Sequence, residues 1–420
     1  SPVNFQKVIP MAEVHSEALV IVGASHAGCA LAESARKNGW EGSIQLVGDE
    51  AYLPYHRPPL SKDFLAGNKQ VENILLRPES VYKKLNIDCI LNARVAAINR
   101  AEKNLLLDDG RKLAYSKLAL TLGARARTVP ISGADKQGVF YLRTVDDIEA
   151  IRQLVKKGKK AVIVGGGYIG LETAASLRKL GVEVTVIEMM PRILQRVTAP
   201  VISEFYRRVH TEEGVSIITD AAVSEISGEE WVTGVTCKNG MSLPADFIII
   251  GAGVLPNVEL AQEADLAVEN GIVVDEYATT SDPNIVAAGD CTWHRNPLYD
   301  RWLRLESVQN ATDQARVAGA TVCGNKETYN QLPWFWSDQY DIKLQIAGLS
   351  QGFDNIVIRG DITQGRKFAA FYFHQDALLA VDAVNMPMAF MVGKRLLLEG
   401  RTVSKAVLAD EAVNLKSIFS

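Results

Sequence analysis

Two strand–glycine turn–helix–strand units, and a change of texture near residue 328, predict an α/β chain with two Rossmann-like domains plus a C-terminal α+β domain. A chain of 420 residues exceeds what one hydrophobic core serves and suits two or three domains. The pattern places a first, discontinuous domain at 1–122 and 246–327, a second at 123–245 and a third at 328–420.

Residues 1–15 lack the charged start, apolar stretch and cleavage site of a signal peptide and read as a loosely ordered extension. Ala18-Leu19-Val20-Ile21-Val22-Gly23 then reads as a buried parallel strand, Ala24 to Lys37 as a helix, and Ser43 to Val47 as a second strand. Residues 89–122 read as short strands with turns, Asp109-Gly110 marking a hairpin. The first pattern recurs as a strand at Lys160–Gly165, a helix from Tyr168 to Leu180 and a strand at Glu183–Ile187. Phe247–Gly251 and Ile285–Asp290 are further buried strands. Beyond residue 328, Trp334-Phe335-Trp336 and apolar/polar alternation in Lys343–Ile346 and Phe371–Phe373 predict an antiparallel sheet, with a late helix near 386–399.

Composition narrows the functional class. A net charge of −4 argues against a nucleic-acid binder, and 47% apolar with 22% charged residues fits a soluble globular protein. No apolar run is long enough to span a membrane. The five cysteines are odd in number, irregularly spaced and without a C-x-x-C pair, which disfavours a disulfide framework or zinc site and points to a reducing, cytoplasmic compartment. The six histidines form no evident cluster, so no metal site is expected.

The second glycine turn, Gly165-Gly166-Gly167-Tyr168-Ile169-Gly170, satisfies G-x-G-x-x-G between a strand and a helix. Its first glycine makes the tight turn, its second admits backbone close to a pyrophosphate, and its third lets helix and strand pack closely. The helix N-terminus offers N–H groups and a positive dipole end to phosphate. Glu188, at the end of the next strand, suits a ribose 2′-hydroxyl and favours NADH over NADPH, a preference that nearby Arg192 and Arg196 oppose. In the first turn, Gly23-Ala24-Ser25-His26-Ala27-Gly28, serine replaces the middle glycine, and Asp49 follows at the expected distance. Glycine turns also close α/β units that bind nothing; two in one chain, each with its acid, favour two dinucleotides.

These motifs resemble those of the pyridine-nucleotide–disulfide-reductase-like flavoproteins, and among them the ferredoxin reductases typified by putidaredoxin reductase and the reductases of Rieske dioxygenase systems. The resemblance runs from about residue 17 to the C-terminus and rests on five further segments. They are Arg57-Pro58-Pro59-Leu60-Ser61-Lys62, Thr121-Leu122-Gly123-Ala124, Thr279-Thr280-Ser281 through Gly289-Asp290, Arg304–Ala311 and Pro333–Gln339. Ser25 and Leu122 depart modestly from the pattern. The resemblance implies a glutathione-reductase-like architecture that holds FAD and exchanges NADH.

On that resemblance FAD would be held by Gly23, Ser25, His26, Ala27, Gly28, Asp49, Arg57, Lys62, Thr121, Gly123, Arg143, Asp290, Glu306, Ser307, Val308 and Trp336. NADH would be held by Gly165, Gly167, Tyr168, Ile169, Gly170, Glu188, Arg196 and Gly253. Asp290 would hold the ribityl chain; otherwise it caps a helix. Lys62 would stabilise the reduced flavin near N5, paired with Glu172 from the first turn of the second glycine-loop helix, where Glu172 could equally serve only the helix dipole. Tyr168 would cover the flavin until nicotinamide displaces it, or be an ordinary packing aromatic.

The implied reaction is hydride transfer from NADH to flavin, with electrons then leaving singly. The stretch from Asp49 to Ser80 contains no cysteine, which makes a thiol relay an improbable exit. The acceptor implied is a small acidic [2Fe–2S] ferredoxin serving a cytochrome P450 or Rieske-type oxygenase, steered by Arg301, Trp302, Arg304 and Lys416, unless those residues are merely solvated. Rubredoxin, a quinone or monodehydroascorbate are alternative acceptors, and an NADH-sensing protein resembling apoptosis-inducing factor is a further alternative. Monomer and homodimer are both compatible with the sequence, and Cys291 reads as a buried structural thiol.

Overall fold

The computed structural model describes residues 17–420, so the N-terminal extension lies outside the described residues. The chain forms two compact units. The first comprises the described residues up to His56, Ile74–Ala124 and Pro256–Gln331. The second comprises Arg57–Asn73, Arg125–Leu255 and Leu332–Ser420, so the Pro-Pro segment lies with the second glycine turn and the C-terminal residues.

The first unit is built on a parallel sheet in the order Ile285–Ala287, Lys117–Leu120, Ala18–Val22, Ser43–Val47, Ile87–Ile90. Its central strands are apolar on both faces because both are covered; Leu19, Val20, Ile21 and Leu118 are fully buried. The helices His26–Lys37 and Val308–Val322 pack together on one face. Their close approach needs Gly319, where a Cβ would lie 2.6 Å from Ser34. Asp109-Gly110 turns the hairpin between Asn104–Leu107 and Lys112–Ala114, Gly110 taking φ +90°.

The second unit repeats the design. Ser216–Ile218, Glu183–Ile187, Lys160–Val164, Phe247–Ile250 and Val139–Tyr141 form a five-stranded parallel sheet. Within the same unit, Trp334–Gln339, Ile342–Gly348, Ala377–Val384, Lys367–His374 and Asn355–Asp361 form an antiparallel sheet, covered by the helix Pro387–Glu399. The sequence reads Phe371–Phe373 as alternating. Instead Phe368–Phe373 is buried at every position, since this strand lies inside the sheet with both faces covered. Alternation fails wherever neither face meets water.

Candidate functional site

In the first unit the carboxyl ends of the parallel strands gather the residues of the first fingerprint. Gly23 follows Ala18–Val22, Thr121 follows Lys117–Leu120, Asp49 lies two residues beyond Ser43–Val47, and Gly289 and Asp290 follow Ile285–Ala287. Ligands of open α/β sheets sit at this edge, where strand order reverses. Gly23 takes φ +112°, and a Cβ there would lie 1.9 Å from the Thr121 carbonyl oxygen. Thr121 Oγ1 donates to the Val22 and Gly23 carbonyls, tying the turn to its neighbouring strand. Gly28, in the first turn of the helix, lies against that glycine turn; its Cβ would fall 2.0 Å from the Gly23 carbonyl oxygen. His26 and Ala27 open the helix, with Ser25 at its N-cap in extended conformation.

Asp290 is half-buried, and the strand Thr292–Asn296, not a helix, follows it, so it caps no helix. Gln314 fixes this corner by accepting from the Gly289 N–H and from Thr292 Oγ1, each at 2.9 Å. Ser307 caps the helix that begins at Val308, accepting from the Asn310 N–H at 3.0 Å. Glu306 is exposed and pairs with Arg304 at 2.6 Å. Arg301, Trp302 and Arg304 lie on or just after one short strand; Trp302 is exposed and Arg304 spends its charge on Glu306. Lys416 is exposed and belongs to the second unit.

In the second unit Gly165 takes φ +112°, and a Cβ there would meet the Gly251 carbonyl oxygen at 2.1 Å. Gly170 is packed likewise, 2.4 Å from the Gly165 carbonyl oxygen. At Gly167, by contrast, a Cβ would meet nothing within 4 Å, and the same holds at Gly253. The outer two glycines therefore serve packing, and the middle one leaves open backbone at a helix N-terminus, the cradle a pyrophosphate needs. Glu188 accepts from the Gly166 N–H at 3.1 Å and the Met190 N–H at 2.9 Å, which aims its carboxylate at the glycine turn. Arg192 is engaged, donating to the Thr198 carbonyl at 2.9 Å and to Ser203 Oγ at 2.6 Å. Arg196 and Ile169 are exposed.

The same unit brings Lys62 and Glu172 together. Lys62 Nζ lies 3.8 Å from Glu172 Oε1 and 3.5 Å from Asp338 Oδ2. Glu172 lies one turn beyond the helix start rather than within its first turn, and it is 5% exposed, so the dipole does not explain it. Burial pushes its carboxyl up, opposed by Lys62 and by hydroxyls donated from Ser337 at 2.7 Å and Ser61 at 3.0 Å. Ser176 Oγ in turn donates to the Ser61 carbonyl at 2.5 Å, fixing the Pro-Pro turn against the helix. Arg57 donates to the Arg143 carbonyl at 2.9 Å. The Tyr168 ring packs 5.0 Å from Phe335, and Trp336 lies 5.7 Å from Trp334. Ser61 and Ser337 escape sequence reasoning as Glu172 partners; serines leave no periodic signal.

Of the cysteines, Cys291 is fully buried with Sγ beside the Leu120 and Ala288 carbonyls. Among the described residues no helix is long and apolar enough to cross a membrane.

Comparison with known proteins gives one answer over nearly the whole chain. A family model described as pyridine nucleotide-disulphide oxidoreductase matches residues 17–315, and one described as reductase C-terminal matches 334–419. The putidaredoxin reductase of Pseudomonas putida is 46% identical over 408 residues, 96% of each chain. The ferredoxin–NAD(+) reductase component of an anthranilate 1,2-dioxygenase system from Burkholderia cepacia is 40% identical over 407 residues, 96% of this chain and 100% of that one. The reductase in the crystal structure of a covalent putidaredoxin reductase–putidaredoxin complex superposes with a TM-score of 0.93 at 44% identity, covering 96% of this chain and 98% of that one.

Proposed function

The chain belongs to the pyridine nucleotide-disulphide oxidoreductase family, as an FAD- and NAD(H)-dependent oxidoreductase of the ferredoxin-reductase type, and from that premise we propose that it passes electrons from NADH, one at a time, to a small [2Fe–2S] ferredoxin. That ferredoxin would serve a cytochrome P450 or Rieske-type oxygenase, in the cytoplasm. The observation that carries the reading is end-to-end likeness, C-terminal domain included, to a reductase captured with its putidaredoxin. The thiols agree: all five cysteines are unpaired, so the disulfide chemistry of the wider family has no redox pair here.

When bound, FAD supplies the conversion between two-electron and one-electron chemistry. The chain supplies positions and charges. Gly23, Thr121, Gly289 and Asp290 would hold the FAD dinucleotide at the edge of the first sheet. Gly167 and Glu188 would hold the pyrophosphate and ribose of NADH, the Glu188 carboxylate repelling a 2′-phosphate. Lys62, kept in place by Glu172, would set a positive charge beside the flavin. Tyr168 would cover the flavin face from the glycine loop. Arg301 and Trp302 would meet the ferredoxin, with Lys416 a further cation for an acidic partner.

Anaerobic stopped-flow mixing tests this. NADH should bleach the flavin rapidly, and a [2Fe–2S] ferredoxin from the same genome should then reoxidise it in a step that slows with added salt. Bleaching with no transfer to any ferredoxin would sink the reading and move the acceptor to a small molecule.

A further inference from the structure

His210 is fully buried, titratable and not assigned to the reaction, yet a continuous line of hydrogen bonds joins it to Glu172. Tyr340 Oη lies 2.9 Å from His210 Nδ1, and His210 Nε2 lies 2.8 Å from Gln339 Oε1. Gln339 Nε2 lies 3.3 Å from Ser337 Oγ, which lies 2.7 Å from Glu172 Oε1. His210 comes from the helix Pro200–Glu212, Gln339 and Ser337 from the strand Trp334–Gln339, and Glu172 from the helix Tyr168–Lys179, all within one compact unit. Ser337, Gln339 and His210 are each at most 1% exposed; Tyr340 is half-buried and forms the outer end.

The chemistry of the groups fixes the direction of every bond. An ionised carboxylate only accepts, so Ser337 must donate its single proton to Glu172. Ser337 must then accept from its other neighbour, which turns the amide nitrogen of Gln339 toward it. The amide oxygen is left facing His210, so His210 must carry its proton on Nε2. Burial holds the imidazole well below its usual range, at about 4, so the ring is neutral and Nδ1 is bare to accept from Tyr340. Four donors therefore point one way, toward the carboxylate that faces Lys62. Aligned hydrogen bonds in a low-dielectric interior polarise one another.

We propose that His210, Gln339 and Ser337 are positioning residues that hold Glu172 as an oriented carboxylate against Lys62, with the His210 tautomer at the far end of the line tied to the charge on Glu172. Protonation of Glu172 at Oε1 would reverse the logic at each link. Glu172 would donate to Ser337, the Gln339 amide would turn over, and the His210 proton would move to Nδ1. The other charges facing the two ends are Lys62 and Asp338 at Glu172, and Glu213 and Arg366 at His210. The inference rests on Lys62 and Glu172 acting at the flavin, and not on which acceptor follows.

The test uses the FAD-loaded protein with NADH alone. In protein carrying 15N-histidine, the His210 Nε2 should be protonated and Nδ1 bare at neutral pH; the opposite tautomer would overturn the proposal. Ser337→Ala should move the acid limb of the pH dependence of flavin reduction upward by about one pH unit, as loss of a hydrogen bond to a charged group requires. His210→Phe should move it the same way by less. His210→Gln, whose amide nitrogen reaches the position of Nε2 and can still donate to Gln339, should move it back. An unchanged acid limb in Ser337→Ala, or a folded His210→Phe with wild-type behaviour, would overturn the relay. If His210→Phe does not fold, Ser337→Ala and the wild-type tautomer decide. Failure to reduce ferredoxin would leave these results standing, whereas a Glu172→Gln protein with unaltered flavin reduction would sink the role of the pair while the tautomer survived.

Discussion

On the proposed reading, a single carboxylate in the second unit would separate two cofactors. Glu188 is steered by two backbone N–H groups toward the glycine turn, and one of the two arginines that would favour a 2′-phosphate, Arg192, is consumed by Thr198 and Ser203. Glu188→Ala should weaken NADH binding about tenfold while leaving NADPH unchanged or improved, read from the concentration dependence of flavin reduction. Equal losses for both would remove Glu188 from ribose recognition. On the proposed role of Lys62 as a charge beside the flavin, Lys62→Ala should lower the flavin midpoint potential and slow reduction by NADH, measured by dye-coupled titration and stopped flow. Unchanged values would take Lys62 out of the mechanism. Neither the Lys62–Glu172 distance nor the serines around Glu172 follow from residue spacing; the pair comes from family resemblance, and the hydroxyls emerge only once a helix, a turn and a sheet are packed together.

At the scale of elements, the two strand–turn–helix units were legible because backbone geometry leaves so few residues admissible. Gly165 holds φ +112° with a carbonyl oxygen 2.1 Å from where a Cβ would stand. Gly165→Ala should cost roughly 3 kcal/mol or more of stability and abolish NADH binding, read by chemical denaturation and by failure to bleach the flavin. A variant with wild-type stability would show that the turn can relax. The helices from His26 and Tyr168 emerged where a short glycine turn releases the chain. The strand Lys367–His374 was legible as a strand but not as one buried on both faces, because that depends on which neighbours cover it. The helix starts at Tyr168, as the sequence reads it, but Glu172 is its fifth residue and so stands in the second turn, facing inward, rather than in the first.

Across the whole molecule, opposed titrations shape stability. His210 and His294 are both lowered to about 4 by burial, so the unfolded chain binds their protons first and stability falls as pH drops from about 6.5 to 4. Asp382 runs the other way. Fully enclosed and accepting one hydroxyl from Tyr372 at 2.6 Å, it is raised by burial to about 7, so its contribution is complete below pH 3.8 and lost as pH climbs to 7. Asp382→Asn should therefore stabilise the protein by up to about 4 kcal/mol at pH 8, with the gain shrinking to nothing near pH 4. Melting temperatures across that range check it, and a gain independent of pH would refute the assignment. The two strand–glycine turn–helix repeats and the C-terminal antiparallel sheet were legible from texture, whereas these buried ionisable groups were not, since nothing local distinguishes an enclosed aspartate from a solvated one.

Burial also raises every cysteine above its ordinary range, with Cys29, Cys89 and Cys291 each pushed to about 11. Electrons diverted from a reduced flavoprotein to oxygen yield hydrogen peroxide, and peroxide attacks thiolates far faster than thiols. A chain whose sulfurs stay protonated is armoured against its own waste. Ellman's reagent at pH 8 should find almost no fast-reacting sulfur in the native protein and all five after denaturation. The working life of the reduced protein in air would then be limited by something other than cysteine damage.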